Sequence, residues 1–167
     1  FRHALEAEDW DHAVDCLHQG LHDQTHASFL DLYALLDARL PAERSPFIQS
    51  MMALARGSAF VSIADAEEAN RCLDEAVEIA LEHDLERVYF QACATRVTLV
   101  VLESEVDRGF ELARELLEKL DRVEPDDPLF DRLLMNKAGV LGQLAELHLR
   151  VGDFDAALDT CARALDI

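Results

Sequence analysis

One segment near the end of the chain decides the fold: residues 141–165 are Leu-Gly-Gln-Leu-Ala-Glu-Leu-His-Leu-Arg-Val-Gly-Asp-Phe-Asp-Ala-Ala-Leu-Asp-Thr-Cys-Ala-Arg-Ala-Leu. Leu144 and Ala145 follow Leu141 at steps of three and four, which places all three on one face of a helix. Gly152 favours the end of that helix, and Asp153 favours the start of a second one. The segment therefore predicts two helices joined by a short turn.

The second of these helices has counterparts earlier in the chain. Four segments superpose without gaps, beginning at Ala13, Ala69, Ala113 and Ala157, with spacings of 56, 44 and 44 residues. Four residues after each alanine stands Leu17, Leu73, Leu117 or Cys161, and three residues further stands Gly20, Ala76, Leu120 or Ala164. Steps of four and three keep these positions on one helix face, where small residues let a neighbouring helix come close. The repeat predicts stacked helix hairpins.

The rest of the chain also reads as helix, because glycine and proline are sparse and apolar residues recur at helical steps. Residues 28–39 predict one additional helix that ends before Pro41. Residues 97–102 are rich in β-branched side chains but continue a helical pattern that begins at Val88. We expect an irregular turn around Arg108 and Gly109 in the third repeat. No segment predicts a strand.

These repeats resemble the tetratricopeptide family. The resemblance rests on the Gly-Asp-aromatic turn at residues 152–154 with the alanine positions after it, on residues 65–80, and on residues 8–13. The 44-residue period is similar to the extended repeats of kinesin light chains and bacterial signalling regulators. HEAT-type repeats share this period and are the architectural alternative. The resemblance implies an all-α fold, an α-solenoid in which antiparallel helix hairpins stack into a right-handed superhelix.

The same resemblance implies how the chain is organised. Residues 1–167 are expected to form a single solenoid segment with about three full hairpins and a partial first one. The chain opens in what resembles the tail of a first helix and stops inside the second helix of a repeat. A solenoid needs a polar capping repeat at each end, so we expect a fragment of a longer protein.

Composition excludes several classes of function. The chain has 34 acidic and 15 basic residues, a formal net charge of −19, which opposes direct binding to nucleic acid. No apolar run reaches the roughly 18 residues that a membrane span needs, and no signal segment opens the sequence. Four cysteines lie far apart within apolar helical patterns. They predict four buried free thiols in a reducing compartment, so we expect a cytoplasmic protein.

We find no motif for catalysis or for a cofactor. The sequence has no nucleophile motif, no glycine-rich phosphate loop and no carboxylate pair beyond solvated helix faces, so we expect no enzyme and no cofactor. His18, His22 and His26 are a weak metal-site candidate, because their four-residue steps place them on one helix face. The alternative is that this face simply points to solvent, and we expect no metal.

The remaining candidate site is the groove that the first helices of successive hairpins would line. By the resemblance, its partner-binding positions hold six residues of interest here: Met51, Leu54, Ser58, Val61, Glu146 and Leu149. Neither lysine of the chain falls at these positions, which argues against the clamp that some tetratricopeptide proteins use for a peptide carboxylate. The groove instead suits an apolar or amphipathic helix, from a protein or peptide partner or from another part of the same chain.

Two functions remain open at this point. The first is a non-catalytic protein–protein interaction or scaffolding module that uses the groove. The alternative is a ligand- or peptide-sensing regulatory domain of a bacterial signalling or transcription regulator. Neither function involves direct contact with nucleic acid or a membrane.

Overall fold

The computed structural model describes residues 1–20, 26–124 and 130–167, and in these ranges it contains helices and no strand. The helices are α1 Arg2–Glu6, α2 Trp10–Gln19, α3 His26–Asp37, α4 Pro46–Ser62, α5 Ala66–Glu82, α6 Glu86–Leu102, α7 Val106–Leu120, α8 Phe130–Arg150 and α9 Phe154–Leu165. The all-α prediction is confirmed for the described residues. The additional helix before Pro41 is α3, and the β-branched residues 97–102 lie within α6.

The chain forms two compact units, residues 1–92 and residues 93–167, and α6 contributes residues to both. In the first unit α4 packs against α5, and α2 packs against α1, α3 and α4. Leu36, Met51, Leu54 and Leu73 are fully buried there. An ion pair between Asp15 of α2 and Arg87 of α6 joins two helices far apart in sequence, and each side chain is only 14% exposed.

In the second unit α8 packs against both α7 and α9. Leu141 and Leu147 of α8 are fully buried, as is Ala113 of α7. The packing face of α9 is narrower, because only Ala157 and Thr160 are buried on that helix. Among the described residues, α8 supplies more buried apolar side chains to this unit than any other helix.

The same turn recurs at five helix junctions. In each turn one residue adopts a left-handed backbone conformation with φ between 54° and 80°, namely Glu8, Ala64, Asp84, Ser104 and Gly152. The amide of the next residue then bonds to the carbonyl five residues before it, at 2.8–3.2 Å, in the pairs Asp9–Ala4, Asp65–Phe60, Leu85–Ala80, Glu105–Val100 and Asp153–His148. These bonds satisfy carbonyls that the helix end leaves free. A single local geometry therefore joins five pairs of successive helices.

Aspartates cap three of the helices that follow these turns. The carboxylates of Asp9, Asp65 and Asp153 accept hydrogen bonds from backbone amides three residues later, at 3.3, 3.3 and 3.1 Å. Such caps satisfy orphan amides and place negative charge at the positive end of the helix dipole. The predicted helix start at Asp153 is confirmed.

Two glycines allow close helix packing. A Cβ at Gly57 of α4 would lie 3.0 Å from the Leu73 side chain of α5, and a Cβ at Gly109 of α7 would lie 3.0 Å from Leu147 of α8. The predicted turn around Arg108 and Gly109 is wrong, because both residues lie inside α7. Gly109 is there for packing, and the turn lies before it, around Ser104.

The lead alanines Ala13, Ala69, Ala113 and Ala157 are all buried, as the repeat predicted. The prediction of four buried thiols is wrong. Cys72 is buried, Cys16 and Cys93 are half-buried, and Cys161 is exposed. Cys161 is exposed because α9 buries only the narrow face that meets α8.

None of the helices in the described ranges is long and apolar enough to cross a membrane.

Candidate functional site

The predicted groove residues fall on two helices in different units. Met51, Leu54 and Val61 of α4 are buried, and the hydroxyl oxygen of Ser58 is buried without a hydrogen-bond partner. These four side chains lie within the packed first unit and offer little surface to a partner. They do not share a unit with the two remaining groove residues.

Glu146 and Leu149 of α8 are both exposed. The Glu146 carboxylate accepts a hydrogen bond from Arg150 Nη2 at 2.7 Å, so its charge is already paired on its own helix. Leu149 is free to meet a partner. Of the six predicted positions, Leu149 therefore offers the clearest apolar contact.

A cleft of about 370 Å³ lies in the first unit, on the side of α4 that carries Gln49 and Arg56. Arg44 and Tyr33 also line it. Arg44 Nη1 is 2.8 Å from Asp37 Oδ1, so that guanidinium is paired. Burial, and then the Asp37 carboxylate, raise the pKa of Tyr33 above its ordinary value, which keeps its hydroxyl protonated.

The Arg56 guanidinium in this cleft is weakly paired. Its Nη2 lies 3.9 Å from Glu68 Oε2, whereas Arg71 Nη2 lies 2.6 Å from the same oxygen. The hydrogen bond from Arg71 also lowers the pKa of Glu68. Arg56 instead stands 5.7 Å from the centre of the Phe60 ring, within reach of a cation–π contact.

Among the described residues, the largest set of exposed apolar side chains along one helix lies on α9. Phe154, Leu158 and Leu165 are 65%, 70% and 87% exposed, and Cys161 between them is also exposed. Steps of four, three and four place these residues on one face, which we call the α9 stripe. Ala157 and Thr160, beside the stripe, are buried in the contact of α9 with α8. The helical spacing of these four residues can be read from the sequence. The repeat pattern, however, predicted that Cys161 lies on the buried face of the helix.

Aspartates follow one edge of the α9 stripe. Asp155, Asp159 and Asp166 are exposed and lie at steps of four and seven, hence along one side of the helix. Among the described residues none of the three forms an ion pair. The stripe thus combines an apolar face with an unpaired acidic edge.

Of the three candidate metal ligands, only the side chain of His18 lies within the described residues. His18 is half-buried at the end of α2, whereas His22 and the side chain of His26 lie outside the described residues. Within the residues that the structure describes, no group of three or more histidine, cysteine or acidic side chains could hold a metal ion.

A scan against protein-family models finds no match to this chain, and neither do searches of the curated proteins and of the solved structures.

Proposed function

We propose that the chain is a non-catalytic protein-interaction module of a cytoplasmic protein, built as a tetratricopeptide-like α-solenoid. The observation that supports this function most strongly is the α9 stripe, because large apolar side chains are rarely left in water along one face without a partner. The recurring turn and the buried lead alanines support the repeat architecture.

The chemistry of the stripe suggests the kind of partner. A partner helix with apolar side chains at three- and four-residue steps would cover Phe154, Leu158 and Leu165. Basic side chains along one edge of that helix would meet Asp155 and Asp159. We therefore expect an amphipathic helix with a basic edge, from another protein or from elsewhere in the same polypeptide.

Affinity purification tests this function with a matched pair of variants. Leu158→Glu places a charge in the stripe, and Leu81→Glu makes the same change at a leucine of α5 that is 62% exposed. We expect a stoichiometric partner with a basic amphipathic segment to co-purify with the natural chain and with Leu81→Glu, but not with Leu158→Glu. Recovery of the same proteins with all three chains would contradict the proposal.

The second candidate function is a ligand-sensing regulatory domain. The cleft of the first unit favours it, because Arg56 is only weakly paired there, with Glu68 at 3.9 Å, and Tyr33 presents a protonated hydroxyl. Mass spectrometry of small molecules extracted from the same purified protein tests this candidate. A retained small molecule in the absence of a protein partner would favour it over the interaction module.

A further inference from the structure

Helix α2 of the first unit carries a histidine and a cysteine whose side chains meet one turn apart. His12 and Cys16 stand four residues apart on one face of the helix, and Cys16 Sγ lies 3.6 Å from His12 Nε2. His12 is exposed and Cys16 is half-buried, so a small ion in solvent has access to the pair. The pair shares no residue with the α9 stripe or with the histidine set that begins at His18.

The separation of these two atoms matches the geometry of a zinc site. A zinc ion lies about 2.3 Å from a cysteine sulfur and about 2.0–2.1 Å from a histidine nitrogen, and a tetrahedral angle between these bonds places the two ligand atoms roughly 3.6 Å apart. The observed distance between Sγ and Nε2 is 3.6 Å. The two atoms therefore have the spacing that one shared zinc ion requires.

The helix that carries the pair is fixed at its start and along its buried side. The Asp9 carboxylate caps α2 by accepting a hydrogen bond from the backbone amide of His12 at 3.3 Å. Ala13, Val14 and Leu17 anchor the other side of α2, where they are buried. Ligands on an anchored helix lose little conformational freedom when an ion binds, which favours binding.

The ligand types and the charge of the chain favour a zinc-like cation. Thiolate and imidazole are ligands that zinc prefers, whereas Mg²⁺ and Ca²⁺ require oxygen ligands. The formal net charge of −19 attracts divalent cations to the chain. The chemistry of the pair and the long-range charge thus favour the same kind of ion.

We propose that His12 and Cys16 bind one zinc ion, with water in the remaining coordination positions. Zinc replaces the proton that the thiol and the imidazole share: it bonds to Cys16 Sγ and to the lone pair of neutral His12 Nε2, and the thiol proton leaves to solvent. Within the described residues no third histidine, cysteine or acidic side chain completes such a group. Two chains of charge −19 repel each other, so water rather than a second copy supplies the other ligands.

Calorimetric titration of the folded, reduced chain with Zn²⁺ tests this site, which goes beyond the protein-interaction function and does not depend on it. We expect one ion per chain. His12→Gln and Cys16→Ser should each weaken zinc binding about tenfold or more, because each removes one of the two protein ligands. The matched controls are His18→Gln, on the same helix, and Cys161→Ser, at an exposed cysteine of α9. Both controls should bind zinc as the natural chain does.

Alkylation of the natural chain gives a second measurement that needs no variant. With Zn²⁺ present, peptide mass spectrometry should find Cys16 protected from iodoacetamide, because a zinc-bound thiolate is a weaker nucleophile. Cys161 should be modified at the rate seen without the metal. Equal alkylation of Cys16 with and without Zn²⁺ would overturn the proposal.

Three further results would also overturn the proposal. The first is the absence of binding at about millimolar Zn²⁺. The second is an equal loss of affinity in His12→Gln and His18→Gln, which would indicate diffuse binding along α2. The third is a zinc-dependent dimer in sedimentation velocity, which would assign the remaining ligand positions to a second copy of the chain. A zinc-bound monomer supports completion by water.

Discussion

Gly57 shows how a single residue sets the distance between two helices. A Cβ at this position would lie 3.0 Å from both Cγ and Cδ2 of Leu73 and 3.4 Å from Cβ of Cys72. Leu73 and Cys72 are fully buried, so neither has room to move away. Gly139 of α8 is the opposite case, because a Cβ there would meet nothing within 4 Å.

Replacement of these two glycines by leucine should therefore have different effects. Gly57→Leu should lower the free energy of unfolding by about 1–3 kcal/mol, because it overpacks the contact between α4 and α5. Gly139→Leu should leave it unchanged or raise it by about 1 kcal/mol, because it removes glycine from a helix interior. Urea denaturation of both variants measures the difference. Equal free energies of unfolding would contradict the helix contact at Gly57.

The cysteines differ in exposure, and their reactivity should differ in the same order. Burial raises the pKa of the Cys72 thiol, so less of the reactive thiolate forms at a given pH. Cys161 is exposed on α9. With iodoacetamide at pH 8, peptide mass spectrometry should find Cys161 modified first and Cys72 modified only when urea unfolds the chain. Modification of Cys72 at the rate of Cys161 in the folded chain would contradict the packing of α5.

At the scale of the helices, the main recurring feature is the turn with one left-handed residue. Four of its five left-handed positions are occupied by residues other than glycine, and Ala64 is one of them. An L-residue in that conformation costs roughly 1–2 kcal/mol, which exceeds the extra unfolded-state entropy of glycine, about 0.5–1 kcal/mol. The turn geometry therefore predicts a stabilising glycine substitution.

Ala64→Gly should raise the free energy of unfolding by about 0.5–1 kcal/mol, because it relieves the left-handed strain. Ala138→Gly makes the same change in the middle of α8 and should lower it by about 1 kcal/mol. Thermal or urea unfolding of the two variants gives the comparison. Destabilisation of both would show that Ala64 does not occupy the recurring turn.

The sequence predicted the helices well, because capping residues and the spacing of apolar side chains depend only on residues close together in the chain. Asp153 caps a helix as expected, and the lead alanines are buried. The turn of the third repeat was misplaced because Gly109 has a long-range cause, the side chain of Leu147, which sequence spacing does not reveal. The observed turn has Ser104 rather than glycine at its left-handed position, so the sequence does not mark it.

At the scale of the whole molecule, the candidate site was harder to predict than the fold. Helix α4 is apolar on most of its surface, so its sequence does not show which side meets solvent, and Met51 and Leu54 proved to be buried. On α9 both the packing face and the α9 stripe follow helical steps. Which of the two is covered depends on the neighbouring helices, which is tertiary information.

The net charge of the chain also bears on the choice of partner at this scale. The chain has a formal net charge of −19, and the unpaired Asp155 and Asp159 place part of its negative charge beside the α9 stripe. A basic partner would be attracted from a distance, and salt would weaken that attraction. The net charge thus favours the same class of partner as the local geometry of α9.

The most direct measurement of the central claim, that α9 is the docking helix, is amide hydrogen exchange of the chain alone and with its purified partner. We expect exchange to slow in residues 154–165, where the partner would cover the stripe, and to stay unchanged in α4 and α5. Protection confined to α4 and α5, with α9 exchanging as in the free chain, would contradict the claim.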